Sequence, residues 1–383
     1  MNEVAPPLSL YLHMPWCVRK CPYCDFNSHR AGDSPPRDAY IDALIRDLAF
    51  ESARADAREI VSIFIGGGTP SLFSPAHLGR ALESCRQLFR LADDCEITME
   101  ANPGTVEHGS LADYCAAGVN RLSLGAQSFD ATMLRSLGRI HGPEEIHAAF
   151  DEASQAGYRS INLDIMFALP GQDLAMARHD VEAVVALGPT HVSYYQLTLE
   201  PNTMFHSRPP ADLPDDDLAW AMQESGHERL AAAGFEQYEI SAFARTGHRC
   251  RHNLNYWRFG DYLAAGAGAH GKITVNGEVR RYRKPAHPLS YIEQVDALGS
   301  TLAMQTIAGP ELAFEFMLNT LRLPEGFPRT LFTERTGADS QALESRIDAA
   351  VADGLLETVS PDFYRPTAVG LRFLNDLQAR FLP

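Results

Sequence analysis

Three cysteines, Cys17, Cys21 and Cys24, stand within Cys-Val-Arg-Lys-Cys-Pro-Tyr-Cys, directly after a strand-like run at 8–13. Thiols this close in sequence cannot build a framework of disulfides, but they can grip three irons of a cubane cluster. Such clusters are held by Cys thiolates, normally four. With three local ligands, one iron keeps an open face for a small molecule.

Other chemistry uses the same residue types. Zinc takes three Cys and one His, with His13 or His29 as the fourth ligand, although no second CxxC or HxxxH follows downstream. Cys21-Pro-Tyr-Cys24 has the form of a redox dithiol, which needs a helix after its first Cys to lower the pKa. Residues 27–36, rich in Gly, Ser and Pro, break any helix there, and Cys17 has no part in that chemistry. Attachment of c-type haem requires CxxCH, and Asp25 follows Cys24.

The elements that must position these thiols are legible as an alternation. Apolar runs at 8–13, 60–65, 95–100, 121–126, 160–167 and 191–197 read as strands, and 38–52, 76–89, 106–116 and 173–187 carry helical periodicity. Parallel strands need crossover helices, so repeated βα units imply a parallel α/β sheet. Six units favour a partial (β/α)6 TIM-like barrel over a flat sheet. Residues 208–217 form an acidic connector into a helix at 218–232, and 237–243 and 272–275 read as strands outside the βα rhythm. Helical patterns at 311–322, 343–353 and 367–380, with a β-like pair near Leu356 and Tyr364, give a small, mostly helical, winged-helix-like C-terminal domain. The expected division is 1–240 for the barrel, 241–305 for a β-containing extension and 306–383 for the C-terminal domain.

In barrels, chemistry collects at the C-terminal ends of the strands. The cysteine loop follows strand one, and Gly66-Gly-Gly-Thr-Pro70 follows strand two, where glycine lets backbone approach a ligand; a tight turn is the plainer alternative. Strand three ends at Glu100, a carboxylate suited to a pair of ribose hydroxyls. Gln127 ends strand four, Arg139 follows, and Asp164 lies in strand five. Gly266-Ala-Gly-Ala-His-Gly271 fits GxGxxG, but no helix follows it, which excludes a dinucleotide fold there.

Composition narrows the classes further. The 383 residues are 45% hydrophobic and 21% charged, ordinary for a globular protein. No apolar run is long enough to span a membrane, and the N-terminal residues carry no basic or apolar leader. Seven Cys, an odd number and four of them scattered, point to a reducing, cytoplasmic setting. A net charge of −16 weighs against nucleic acid as a partner.

CxxxCxxC after the first strand with Gly-Gly-Gly-Thr-Pro after the second resembles the radical S-adenosylmethionine (SAM) superfamily, and more narrowly its oxygen-independent coproporphyrinogen oxidase group. Glu-Ala-Asn-Pro, Gly-Ala-Gln-Ser-Phe, Leu-Gly-Arg-Ile-His and Asn-Leu-Asp-Ile continue the match over nearly the whole chain. Pro15-Trp-Cys, Cys24-Asp-Phe-Asn-Ser-His29 and His252-Asn-Leu-Asn-Tyr-Trp257 are similar to the haem-chaperone branch of that group. The resemblance implies a [4Fe–4S] cluster on Cys17, Cys21 and Cys24, its fourth iron chelated by SAM. Gly67, Gly68 and Thr69 would contact that SAM, with Tyr11 close by and Glu100 on its ribose. Tyr23, Gln127, Arg139 and Asp164 match positions around a second SAM site in the oxidases. Haem would be the cargo, haem-accepting proteins the partners, and a flavodoxin- or ferredoxin-type protein the electron donor.

The alternative is the oxidase itself, decarboxylating coproporphyrinogen III by radical chemistry. The oxidases carry CxxxCxxCxC and a longer N-terminal arm. Here Phe26 occupies the last Cys position, and the chain begins sixteen residues before Cys17. Haem iron favours His, Cys, Met or Tyr, which makes His252 the haem-ligand candidate, with Cys250 and His270 as alternatives and Arg249 and Arg251 for propionates. Against it stands a purely structural role, His-Asn and Tyr-Trp packing against the barrel's open side.

Overall fold

A computed structural model describes residues 5–104 and 109–383. Six parallel strands follow one another in space as in sequence: β1 (Leu8–Met14), β2 (Glu59–Gly67), β3 (Arg90–Ala101), β4 (Arg121–Gln127), β5 (Ser160–Phe167) and β6 (His191–Gln196). The strands are buried where both faces are covered, most completely β4, all seven of whose residues are buried, whereas the first five residues of β3 are exposed or half-buried. The crossovers carry α1 (Arg37–Ser52), α2 (Pro75–Leu88), α3 (Leu111–Ala116), α4 (Ala131–Ser136), α5 (Pro143–Ala156) and α6 (Leu174–Leu187). Gly157 and Gly188 end α5 and α6 with positive φ, where a Cβ would strain the backbone. The expected helix over 106–116 begins later, at Leu111 behind a Ser110–Asp113 capping box. Its positions 106–108, like the N-terminal residues 1–4, lie outside the described residues.

The partial (β/α)6 barrel does not close on itself. After α7 (Asp216–Ala232), the short strands β7 (Glu236–Glu239) and β8 (Ala242–Ala244) extend the sheet antiparallel beyond β6. On the far side, past the helix α8 (Arg251–Trp257), β9 (Asp261–Ala265) pairs parallel with β1, Leu8 opposite Asp261 and Leu12 opposite Ala265. The antiparallel strands β10 (His270–Val275), β11 (Glu278–Arg283) and β12 (Gln305–Ile307) follow. The twelve-stranded sheet therefore runs on across residue 240 without a break, in the order β12-β11-β10-β9-β1-β2-β3-β4-β5-β6-β8-β7. Gly266 to Gly271 turns from β9 into β10, with no helix after it.

Behind the first strand lies a buried charge cluster. Lys284 donates to Asp47 at 2.6 Å and to Glu51 at 2.7 Å, and all three side chains are fully inaccessible. Asp47 also accepts from Tyr291 (2.8 Å) and from the backbone of Gly266 (3.1 Å). The cluster satisfies its own hydrogen-bonding demand, as a buried charge must, and it fixes the Gly266 turn against α1.

The C-terminal domain has its own apolar core around Phe316, Phe327, Phe332 and Phe381. α9 (Gly309–Thr320), α10 (Gln341–Ala352) and the hairpin β13 (Leu356–Ser360) and β14 (Phe363–Pro366) build it. The helix expected over 367–380 is two pieces, α11 (Ala368–Arg372) and α12 (Leu374–Ala379), broken at Phe373 with φ −108° and ψ 45°. Gly370 of α11 is pressed onto the Leu355 carbonyl, where a Cβ would meet the oxygen at 2.0 Å and Leu377 Cδ2 at 3.3 Å, and α12 buries Leu377 in the same core. Among the described residues no helix is long and apolar enough to cross a membrane.

Candidate functional site

The cysteine loop leaves β1 at the C-terminal edge of the sheet and is held there by backbone. His29 N–H donates to the Pro15 carbonyl (2.7 Å) and Ala31 N–H to that of Cys17 (2.8 Å). Gly68 N–H donates to Met14 (2.6 Å) and Thr69 N–H to Trp16 (2.8 Å), so the glycine loop after β2 clamps the entry to the cysteine loop. Glycine is obligatory at this clamp. A Cβ on Gly68 would meet the Trp16 carbonyl at 2.6 Å, and one on Gly67 would meet the His13 ring at 2.4 Å. The glycines thus bring the two loops together, and the Gly68 and Thr69 N–H groups are spent on that task. Asn27 pins the far end of the loop through the Ala267 and Ala286 carbonyls, at 3.0 and 2.9 Å.

Cys17, Cys21 and Cys24 are free, partly accessible thiols. Burial pushes the Cys17 thiol up, opposed by hydrogen bonds from Thr69 and Ser28, and burial pushes Cys24 up against a hydrogen bond from the Phe26 backbone. The guanidinium of Arg139 lies 3.7 Å from the Cys21 sulfur. It also donates to the Gly125 carbonyl (2.9 Å) and to Asn102, whose amide in turn donates to Thr69 Oγ1 at 3.1 Å. Among the described residues no three His, Cys, Asp or Glu side chains already stand as a metal nest. His13 Nε2 and His29 Nε2 both face backbone carbonyls, at 2.8 and 3.2 Å. The donor set fits an iron–sulfur cluster: three thiols on one pinned loop, a cation against one of them, and an adjoining cleft lined by Cys21, Thr69, Asn102 and Arg139.

Carboxylates gather on the same rim. Glu100 accepts the Gly67 N–H at 3.0 Å, and its pKa is raised to about 7 by burial, then by Asp164, against that hydrogen bond. Asp164 accepts from Asn162 (2.8 Å) and Ser123 (3.1 Å), and burial raises it as well. Gln127 sits at a bulge between β4 and β5 with φ 70°, a conformation disfavoured outside glycine and often found at functional sites. Its Oε1 accepts from Tyr195 at 2.7 Å. Tyr11 donates toward His13 Nδ1 at 3.0 Å, and burial with the nearby Glu100 charge raises its phenol pKa. Tyr23 is half-buried beside Arg139 and the thiols of Cys21 and Cys24; desolvation, with those thiols, raises its pKa against the pull of Arg139. Every rim residue expected from the strand ends is therefore brought together.

Sequence reasoning missed Asn102, Gly125 and Tyr195. A Cβ on Gly125 would stand 2.9 Å from Asn102 Oδ1 and 2.9 Å from Gln127, so glycine there lets the polar groups converge. Tyr195 was findable, because it lies at the end of the sixth barrel strand, where polar groups collect.

The segment from Cys250 to Trp257 behaves differently. His252 is 1% exposed, with Nδ1 on Ser62 Oγ (3.1 Å) and Nε2 on Tyr256 OH (3.0 Å), and its ring lies against Phe64 and Tyr11. Burial, then Arg121, lowers its pKa to about 3. Both nitrogens are taken, so this geometry gives His252 the packing role and leaves no lone pair for haem. Cys250 is buried on Glu96, its thiol pushed up to about 12 by burial, and His270 is exposed at the start of β10. Arg249 is paired with Glu325 (2.6 Å) and Arg251 with Asp94 (2.9 Å), which removes them as propionate partners in this arrangement.

Comparison with known proteins agrees with this architecture. Residues 11–184 match the radical SAM superfamily, and residues 307–373 match the HemN C-terminal domain. The chain is 49% identical over 379 residues to the heme chaperone HemW of Escherichia coli (strain K12), covering 98% of each chain. It is 46% identical over 382 residues to HemW of Haemophilus influenzae, again covering 98% of both. The solved coproporphyrinogen III oxidase HemN of Escherichia coli shares the fold, with a TM-score of 0.82 at 23% identity over 99% of this chain and 91% of that one. The chain belongs to the HemW family, a branch of the radical SAM superfamily with a HemN-type C-terminal domain.

Proposed function

We propose that the protein is a cytoplasmic haem chaperone that binds haem, holds a SAM-ligated [4Fe–4S] cluster, and passes haem to acceptor haemoproteins. The observation that carries this is the pinned three-thiol loop beside Glu100 and Arg139, in a chain 49% identical over its length to a heme chaperone HemW. Cys17, Cys21 and Cys24 would hold three irons. With SAM on the fourth, such a cluster supplies one-electron reductive cleavage of a sulfonium, fed by a flavodoxin- or ferredoxin-type donor.

The remaining work belongs to side chains. Glu100, anchored by the Gly67 N–H, would accept the ribose hydroxyls of SAM. Gly67, Gly68 and Thr69 would hold the shape of the SAM wall, and Tyr11 would close it. Arg139, fixed by Asn102 and Gly125, would set positive charge against the cluster sulfur. Tyr23, Gln127 and Asp164 would line the space beyond, where the oxidase-like pattern has room for a second SAM. The seven cysteines are free, as a reducing cytoplasm requires.

Phe26 favours the chaperone over the oxidase. It is 57% exposed beside the cluster loop, at the position where the oxidase pattern has a fourth Cys. Anaerobic incubation with coproporphyrinogen III, SAM and reductant separates the two. We expect no protoporphyrinogen above the protein-free control; catalytic turnover would assign the oxidase activity instead.

A further inference from the structure

A small cavity lies at the end of the barrel opposite the cysteines, where β4 and β5 begin. Four arginines line it, Arg121, Arg159, Arg249 and Arg251, with His248 and a single carboxylate, that of Glu96. The centres of water-sized molecules have about 60 Å³ to occupy there. One water needs roughly 10–15 Å³ on that measure, so the space takes a few waters or one tetrahedral oxyanion, and no nucleoside.

Arg121 opens β4 and alternates along it with Ser123, Gly125 and Gln127, so it shares their strand face. At about 3.3 Å per residue it stands about 20 Å below Gln127. Arg121 is 3% exposed, yet it makes no ion pair among the described residues, and its Nε is buried without a hydrogen-bond partner. Thr98, directly opposite in the β3–β4 register, also has a buried Oγ1 without a partner. Buried polar groups are as a rule satisfied, and an unpaired buried charge is costly. Two such atoms at paired positions mark a place where a ligand completes the bonding.

The charges around Arg121 set what that ligand is. Glu96 and Asp164 act on it only through space, and both are spent elsewhere. Glu96 accepts from the N–H groups of Arg251 (3.0 Å) and His252 (3.2 Å), and Asp164 accepts from Asn162 (2.8 Å) and Ser123 (3.1 Å). Arg249 and Arg251 have their own carboxylates, Glu325 and Asp94. Arg159 is exposed and its side chain has no hydrogen bond or ion pair among the described residues; the half-buried His248 ring has no hydrogen bond among them either. The uncompensated charge is felt nearby: burial, then Arg121, lowers the pKa of both His191 and His252. Two guanidinium forks and an imidazole therefore stand ready for an anion.

We propose that this cavity binds a small oxyanion of the phosphate class, gripped by the Arg121 fork from within and by Arg159 at the mouth, with a His248 N–H as a further donor. The ligand is inorganic phosphate, or the phosphate end of a monoester whose remainder leaves past the exposed Arg159. Binding is hydrogen bonding and charge neutralisation alone, and no covalent bond is made or broken. An anion held only by the folded state adds to its stability by mass action.

Calorimetric titration of the anaerobic, cluster-loaded full chain with inorganic phosphate, at an ionic strength held constant with sodium chloride, tests it. One saturable site should appear, and phosphate should raise Tm more than matched chloride does. Arg159→Ala, at an exposed position, should weaken binding about tenfold or more, the worth of a charge-assisted hydrogen bond. Arg121→Gln should abolish it while the cluster content and EPR signal stay those of wild type. Glycerol phosphate binding more tightly than phosphate would make a monoester the ligand, and weaker binding would make it the free ion; either result supports the site. A wild-type chain without saturable phosphate binding in the millimolar range overturns the proposal, and the cavity then holds water. Wild-type affinity in a folded Arg121→Gln protein overturns it too, and where that variant does not fold, wild-type affinity in Arg159→Ala does so.

Discussion

The guanidinium of Arg139 reaches the sulfur of Cys21 at 3.7 Å while it is held by Asn102 and by the Gly125 carbonyl. A cation so fixed acts on whatever charge the sulfur carries as a cluster ligand. Replacing Cys17, Cys21 or Cys24 by Ala should abolish the reconstituted cluster, whereas Cys85, Cys95, Cys115 and Cys250 should be dispensable for it. Arg139→Leu should keep the cluster but move its reduction potential negative, on the order of tens of millivolts, since charge and hydrogen bonds at the sulfurs tune that potential. Redox titration followed by EPR reads both; an unmoved potential would deprive the contact of its role.

Glu100 joins the glycine loop to the proposed ribose site. Glu100→Ala should weaken SAM binding by about 1.5–3 kcal/mol, the worth of hydrogen bonds to a charged group. The same carboxyl should mark the apo protein's pH profile. Its folded pKa, raised to about 7 by burial and Asp164, exceeds the unfolded value of 4.5. The folded state then holds a proton that the unfolded state has released, so stability falls as pH rises from about 4.5 to 7. Glu100→Gln should remove that component, up to about 3 kcal/mol before allowance for the water that reaches the side chain. Parallel denaturation curves for the two proteins would refute this.

Histidines buried neutral give the opposite slope. His252 titrates at about 3, His227 at about 4, and His191 is held well below its usual range, each chiefly by burial. Folded values below the unfolded 6.5 stabilise the fold above that pH, and the stability is lost as pH falls through 6.5 toward 4. Each contributes up to about 1.36 kcal/mol per pH unit. His252→Gln should flatten the acid limb in urea titrations between pH 6 and 4, and an unchanged limb would mean that the ring takes a proton without opening the core.

The Lys284 cluster is a matter of folding and not of chemistry. Lys284→Met leaves Asp47 and Glu51 buried without their cation, and breaking a buried pair from one side costs about 3–5 kcal/mol. Asp47 holds the Gly266 turn, so cluster retention should weaken together with stability. Urea unfolding within about 1 kcal/mol of wild type would show that the carboxyls simply take up protons.

Much of this was legible in the chain. The barrel strands carry apolar runs where both their faces are covered, and polar residues mark their C-terminal ends, so the order of residues alone puts Glu100, Gln127 and Asp164 on one rim. The strand at Asp261–Ala265 was not legible. It is short, and only its pairing with Leu8 to Leu12 makes it a strand, a partner that local periodicity cannot reveal. The break at Phe373 was hidden because no glycine or proline stands at 371–376 to mark it. His252 shows the limit of residue type alone: imidazole, tyrosine and tryptophan in one short segment looked like a ligand site, and hydrogen bonds to Ser62 and Tyr256 made it core.

Haem transfer itself is the most direct test of the proposed function. Haem-loaded, cluster-reconstituted protein is mixed anaerobically with an apo-haemoprotein, and the acceptor's Soret band is followed against an equal concentration of free haem. We expect one acceptor to be loaded per haem carried, with haem leaving the chain as the acceptor gains it. An acceptor that gains no haem from the loaded chain, while free haem fills it, would contradict the assignment.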